Sequence, residues 1–357
     1  MRSLLSKQKG NIARFSCCAR KIGLLHWRHP SDARERRRSE KIQPDHSDFR
    51  LRQPVTMLSR TALWLILAVV SATPAAAQTI DDGSMAPKGT LSAGVFYSHD
   101  SWDQYWEGTL KRTNGNIGTL TTRSLTFVSG YSITDRLALT ASLPYIWTHA
   151  SQGVLHDMSG VQDLALAAKF RLLGTGPSAH GAFSAFLAGV AALPTSNYTP
   201  DFYPLSIGTA GRRAAGHLIL DFQSNSAWFA NASASYMWCS NVRLNRSSYY
   251  TNGQLYLTNQ VVMPNVVDYT LSAGLDGGHW RVPISLMQQR TLGGGDIRRQ
   301  DMPFVSNRMD FVKLDGGVMY ALPKNVSMSL GVGRVLTGRN VGQSTTFTSG
   351  LVYALHL

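Results

Sequence analysis

The chain has 357 residues, with 35 Lys and Arg against 21 Asp and Glu and a formal charge of +14. Charged residues make up only 16%, well under the roughly 25% of an average soluble domain. No window holds the ~18 uninterrupted apolar residues of a spanning helix, which excludes a helical membrane bundle, and the low charge argues against a charged disordered chain.

The positive charge is concentrated at the start. Residues 1–56 carry 14 Lys and Arg against 5 Asp and Glu, with a dense run at Arg36, Arg37 and Arg38. Such a block could be a nucleic-acid arm, but it shows no sustained apolar period and reads better as an unstructured extension without function. From Met57 the chain runs "MLSRTALWLILAVVSATPAAAQ". Arg60 is a short positive region, Leu63 to Val70 an apolar one, and Ala75, Ala76 and Ala77 a small-residue cleavage site, so residues 57–77 read as a secretory signal peptide. Translation is therefore expected to start at Met57, with 1–56 a non-native or disordered extension. Cleavage after Ala77 leaves residues 78–357, which retain 20 basic and 16 acidic residues. The high pI thus says little about partners, and no nucleic acid is expected. Cys239 alone remains, so there is no internal disulfide.

Residues 78–357 alternate apolar and polar side chains in long segments. "RLALTASLPYIWTH" puts Leu137, Leu139, Ala141, Leu143, Tyr145 and Trp147 on one face. "DLALAAKFRLL" sets Leu164, Leu166, Ala168, Phe170 and Leu172 against Asp163, Lys169 and Arg171. "WFANASASYMW" sets Trp228, Ala230, Ala232, Ala234, Tyr236 and Trp238 against Asn231, Ser233 and Ser235. Period two over ten or more residues predicts strands with one oily and one polar face, about twice the usual strand length of a soluble sandwich. Twelve such segments are predicted, near 89–99, 119–132, 136–149, 162–173, 181–193, 212–223, 227–238, 266–276, 279–290, 311–322, 325–336 and 345–357. Tight turns at Thr134-Asp135, "GTGPSA", Ser224 to Ser226, Gly277-Gly278 and Pro323-Lys324 follow the even strands. Longer loops follow most odd ones, the longest between Cys239 and Asn265.

An even strand count with alternating short and long connections predicts an all-β fold, a closed antiparallel transmembrane β-barrel of about 12 strands. A strand in lipid must pair every backbone group, so the sheet has to close. The short turns are then periplasmic and the long loops outside. Tyr97, Tyr131, Trp147, Trp228, Trp238, Trp280 and Tyr320 sit near strand ends, where interfacial girdles belong. Phe347, Leu351, Tyr353, Leu355 and Leu357 form a lipid-facing closing strand. The location is the bacterial outer membrane. A secreted sandwich or carbohydrate-binding domain is the competing reading, and the strand lengths disfavour it.

The segments "YSITDRLALTASLPY", "SGVQDLALAAKFRLL", "LPTSNYTP" followed by "SIGTAG", and "LTGRNVGQSTTFTSGLVY" resemble the outer-membrane transporter family named for the meta-pathway of phenol degradation. The resemblance covers about residues 89–357. It implies a barrel that takes up aromatic compounds. Its motifs are strand-and-turn patterns, which specify fold better than substrate.

No catalytic signature is present: no HExxH, CxxC pair, GxSxG or Walker A. "GGGDIRR" at 293–299 lacks the Lys-Ser/Thr that phosphate binding needs and reads as a flexible outer loop, with Arg298 and Arg299 able to meet lipopolysaccharide phosphates. His149 and Ser151, with Gln162 on the neighbouring strand, resemble the arrangement of outer-membrane phospholipases, in which Ser attacks, His is the base and the amide orients it. That makes an interfacial lipid hydrolase one alternative and a structural or adhesive barrel the other.

Strand parity points Asp163, Lys169, Arg171, His217, Asp221, Asp268, Arg281, Lys313 and Asp315 inward. Strand direction puts Lys169, Arg171, Asp221 and Arg281 in the periplasmic half, where opposite charges are expected to pair and make the narrowest part of any path. His217 shares its face with no second His, so it is read as a lumen residue and not a metal ligand. The sequence thus predicts passive transport of small hydrophobic or aromatic molecules, without cofactor or metal. Its expected partners are outer-membrane lipid and lipopolysaccharide, the barrel-assembly machinery and a small apolar solute.

Overall fold

The computed structural model describes residues 80–176, 178, 180–298 and 303–357. The basic extension and signal peptide read from the sequence, and Arg299, lie outside the described residues.

Twelve long strands form one closed antiparallel barrel. They are β1 (Thr90–Trp102), β2 (Leu120–Thr134), β3 (Leu137–Ala150), β4 (Asp163–Gly174), β5 (Ala182–Pro194) and β6 (Arg213–Gln223). The second half comprises β7 (Trp228–Cys239), β8 (Val266–Asp276), β9 (Trp280–Thr291), β10 (Asp310–Leu322), β11 (Val326–Arg339) and β12 (Thr345–His356). Each pairs with its neighbours in sequence, and β1 pairs with β12 from Thr90 opposite His356 to Ser101 opposite Thr345. Gly89 sits at this closure with φ +78°, and a Cβ there would come within 2.8 Å of the Leu357 carbonyl. Glycine tolerates both conditions.

The faces follow the period-two pattern. Leu139, Leu166, Leu271, Ile284, Leu330 and Leu351 are exposed on the outside, as the exterior of a barrel in acyl chains requires. The aromatics Tyr97, Tyr131, Trp147, Trp228, Trp238, Trp280 and Tyr320 are exposed there too. Leu166→Arg and Leu330→Arg are each expected to cost about 2–4 kcal/mol for a position near the midplane. Ser233 lies on the opposite parity, so Ser233→Arg should insert and fold. Urea titration in lipid vesicles checks this, and equal tolerance of all three substitutions would reverse the assignment of faces.

At one rim the reversals are short. Asp135-Arg136 is capped by Thr134, whose Oγ1 accepts from the backbone N–H groups of Arg136 (3.1 Å) and Leu137 (2.9 Å). At the other rim long loops fold on one another. The loop after β1 holds a hairpin of Gln104–Glu107 with Leu110–Thr113. The loop after β7 holds two, Val242–Arg243 with Gln260–Val261 and Tyr249–Thr251 with Gln254–Tyr256. A short 3-10 turn, Pro200–Phe202, shapes the loop after β5.

These loops bury two small apolar clusters. Leu244, Tyr249 and Val261 pack with Val305, flanked by Tyr203 and Phe304. Ile117 and Leu120 pack with Leu205, flanked by Trp102 and Leu155. Both join loops distant in sequence, so the outer connections form a folded cap.

Candidate functional site

The site begins with β5, whose sequence departs from the barrel pattern. "AFSAFLAGVAAL" is apolar on both faces, and its inward residues include the fully buried Phe186 and the buried Ala188. An apolar inner face must be covered by something other than water. The cover is the segment that precedes β1. Ile80 and Met85 pack against Phe186, Ala188 and Ile219 inside the barrel.

Polar contacts hold the same segment. Lys169, buried on β4, donates from Nζ to Asp82 Oδ1 (2.9 Å), to the Ser84 carbonyl (3.0 Å) and to the Asp82 carbonyl. His217 Nδ1 on β6 lies 2.8 Å from Asp81 Oδ1. Gly83 runs so close to Asp221 that a Cβ would lie 1.9 Å from its Cγ, and only glycine allows that approach. The segment before β1 is thus pinned to one side of the lumen.

The opposite side is left open. There the inner wall carries small or slim residues, among them Thr270, Ser272, Pro283, Ser285, Ser327 and Ser329, and a cavity of about 460 Å³ lies between them and residues 81–84. Phe229 and Met319 add apolar surface. Arg281 lies over the Phe229 ring, 3.8 Å from its centroid, with Nη1 3.7 Å from Asp276 Oδ2.

The nine residues that sequence parity points inward take the following places. Lys169 and His217 hold the inner segment. Arg171 lies over Phe186 at 5.6 Å, and Asp221 accepts from Gln223 Nε2. Arg281 borders the cavity. Nearer the outer rim, Asp163 accepts from Arg213 Nη2 (2.7 Å) and from Tyr198, Lys313 pairs with Asp315 at 2.8 Å, and Asp268 accepts from Ser235. Burial and the Asp163 carboxylate push the Tyr198 hydroxyl upward, so it stays a donor.

One expectation is corrected. Of the wall charges in the periplasmic half only Arg281 finds a wall acid, Asp276, among the described residues, whereas Lys169 and His217 find their carboxylates at Asp82 and Asp81 of the inner segment. Those two acids were missed by sequence reasoning. Their signal was the excess of inward cations over the wall acids Asp221 and Asp276, beside a strand with two apolar faces.

Two further readings change. His149, Ser151 and Gln162 are not brought together. His149 Nδ1 lies 2.7 Å from Asp157, Ser151 Oγ accepts from the Thr119 N–H, and Gln162 Nε2 donates to the Ile207 carbonyl. No described hydrogen bond joins the three. "GGGDIRR" is not a flexible loop over its described part. Ile297 is buried, and Asp296 receives Nε and Nη2 of Arg339 at 2.7 and 2.6 Å. Asn340, itself buried, donates to Asp296 (2.8 Å) and to the Arg308 carbonyl (2.7 Å), and it accepts from the N–H groups of Gly108 and Ile297. Three loops meet on this one side chain.

The Arg339 hydrogen bonds, with help from Asn340, hold the Asp296 carboxyl at about 2, below its ordinary 3.8. A depressed acid contributes stability above its unfolded value and loses it as pH falls through the folded one. The cap should therefore loosen between about pH 4 and pH 2. Limited proteolysis by pepsin across that range checks it, and Asp296→Asn should remove the transition.

These features define an outer-membrane β-barrel with a chain segment lodged in its lumen. Residues 89–349 match the family described as "Putative MetA-pathway of phenol degradation", and the chain belongs to that family. No curated protein sequence matches it. Among solved structures, an outer membrane channel from Pseudomonas putida F1 shares the fold, with a TM-score of 0.64 and 18% identity over 78% of this chain and 100% of that one. The translocator domain of the autotransporter NalP from Neisseria meningitidis aligns with a TM-score of 0.42 and 8% identity over 76% and 90% of the two chains. The CymD monoaromatic hydrocarbon channel aligns with a TM-score of 0.33 and 11% identity over 76% and 89%.

Proposed function

We propose that the protein is a passive conduit for small apolar or aromatic compounds, and that the cavity beside the inner segment is its path through the periplasmic half. The observation that carries this reading is the lopsided filling of the lumen. A barrel built only as a structural wall gains most by packing its interior completely. Here the segment covers β4 to β6 and leaves the β7 to β11 side open, lined by Phe229, Met319 and Pro283 together with hydroxyls and the charged Asp81, Asp82, Asp276 and Arg281. Apolar surface with a small number of polar groups suits compounds of modest size that carry little charge. The family's description, which names phenol degradation, supports the same substrate class.

The nine inward residues take roles within this proposal. Lys169 and His217 anchor the inner segment, Arg281 and Asp221 border the narrow part, and Arg171 supports Phe186. Asp163, Asp268, Lys313 and Asp315 set the charge of the outer half.

The test is solute flux into vesicles carrying the purified protein. Phenol and toluene should enter faster than into empty vesicles, and a charged disaccharide of larger size should not. Equal rates for all solutes, with and without the protein, would sink the proposal.

A further inference from the structure

We propose that the outer rim of β11, β12, β1, β2 and β3 is a binding site for a phosphorylated glycolipid of the outer leaflet, of the lipid A type. The inference starts from strand register. On the lipid-facing parity, Val332, Phe347, His99, Arg123 and Trp147 stand side by side across five strands. One row further out stand Arg334, Thr345, Ser101, Thr121 and His149. Two guanidinium groups, two imidazoles and three hydroxyls therefore form one patch, with the exposed Phe347, Trp147, Val332 and Phe127 at or below its level.

The patch is one-sided. Near the outer ends of β4 to β7 the lipid-facing positions are Leu164 and Leu193, then Ala214 and Trp238, with the exposed Arg212 standing alone just before β6. Arg290 on β9 is a lone cation beside Val267. A lipid-facing Arg is costly at the midplane and tolerated at the interface, so height alone permits the patch. It does not explain the clustering.

Counterions explain it better. Arg123 and Arg334 are exposed, and neither makes an ion pair among the described residues. Arg334 Nη1 reaches only the Thr345 hydroxyl, at 3.4 Å. The nearby carboxylates are engaged: Asp157 by His149, and the inward Asp100 by Thr346. A planar fork of donors facing a lipid interface is matched by a phosphate, which accepts it bidentately. Three interstrand steps separate the strands of Arg334 and Arg123, about 14 Å at the usual spacing. A disaccharide with a phosphate at each end bridges such a gap, with its sugar hydroxyls over Ser101, Thr121 and Thr345. Its acyl chains would then run down over Phe347, Phe127 and Leu330. A single-phosphate glycerolipid reaches one arginine and not both.

The experiment is native mass spectrometry of the detergent-solubilised protein with added diphosphorylated lipid A, or with phosphatidylglycerol. Wild-type protein should retain one lipid A. Arg123→Gln and Arg334→Gln should each weaken retention by about tenfold, as loss of a charge-assisted pair implies. Arg123→Lys, which keeps the charge and loses the fork, should fall between. Arg290→Gln should bind like wild type. Heat-modifiable gel mobility confirms that each variant is folded. Wild-type retention by both glutamine variants would overturn the proposal. So would displacement of lipid A by an equal concentration of phosphatidylglycerol, which would make the patch a general anionic-lipid belt.

Discussion

Lys169→Met is expected to raise the flux of small solutes through the reconstituted protein by about an order of magnitude, with the barrel still folded. Methionine keeps the volume beside Phe186, whose ring the ammonium now faces at 5.0 Å. What it loses are the donors to Asp82 and Ser84. Hydrogen bonds to a charged group are worth about 1.5–3 kcal/mol each, and about 1.4 kcal/mol already shifts an equilibrium tenfold. The docked and released states of the inner segment should then exchange populations. Removing Lys169 also leaves Asp82 as a carboxylate without its ammonium inside the barrel, which favours release further. Gly83→Val should give the same gain by a different route, because its side chain would collide with Asp221. The two variants share no chemistry. Wild-type flux in both would mean that residues 80–86 are not the constriction.

The barrel was legible because lipid imposes a simple rule on every strand. A period of two, a length near a dozen residues and a turn at each end place all twelve strands to within a few residues. The closing pair of β1 and β12 follows once the count is even. Irregularities were not legible. The register shifts between Arg171 and Leu173, so Leu172 and Leu173 are both exposed and strict parity fails there.

The lumen was half legible. Parity assigns each strand charge a side, since that depends only on each strand. It could not identify their partners. Asp81 and Asp82 sit in a segment with no periodicity, and their pairing with His217 and Lys169 spans the sequence. The double apolar face of β5 was the one local sign that something covers the inner wall. The cap was illegible for the same reason. Asn340 reads as an ordinary turn residue at φ +55°, and its four hydrogen bonds go to segments far apart in the chain.

That side chain gives the second large expected effect. Asn340 is 4% exposed and spends both donors and both acceptor positions on other loops. Asn340→Ala leaves the N–H groups of Gly108 and Ile297 and the Arg308 carbonyl without that partner, at about 1–3 kcal/mol for each one kept from water. The cap should open locally while the barrel stays intact, seen as faster hydrogen exchange confined to residues 103–119, 292–298 and 303–309. Its effect on flux depends on where the resistance lies. Cap and inner segment lie in series along any path through the lumen, so their resistances add. If release of the inner segment gains about tenfold, that segment holds about nine-tenths of the total, and opening the cap alone can add only about a tenth. The same Asn340→Ala change should matter far more on top of Lys169→Met, where the cap has become the larger resistance. Flux through the double variant should therefore exceed the sum of the two separate gains. A double variant that merely adds them would place the two elements on separate routes, and solutes would then bypass the cap.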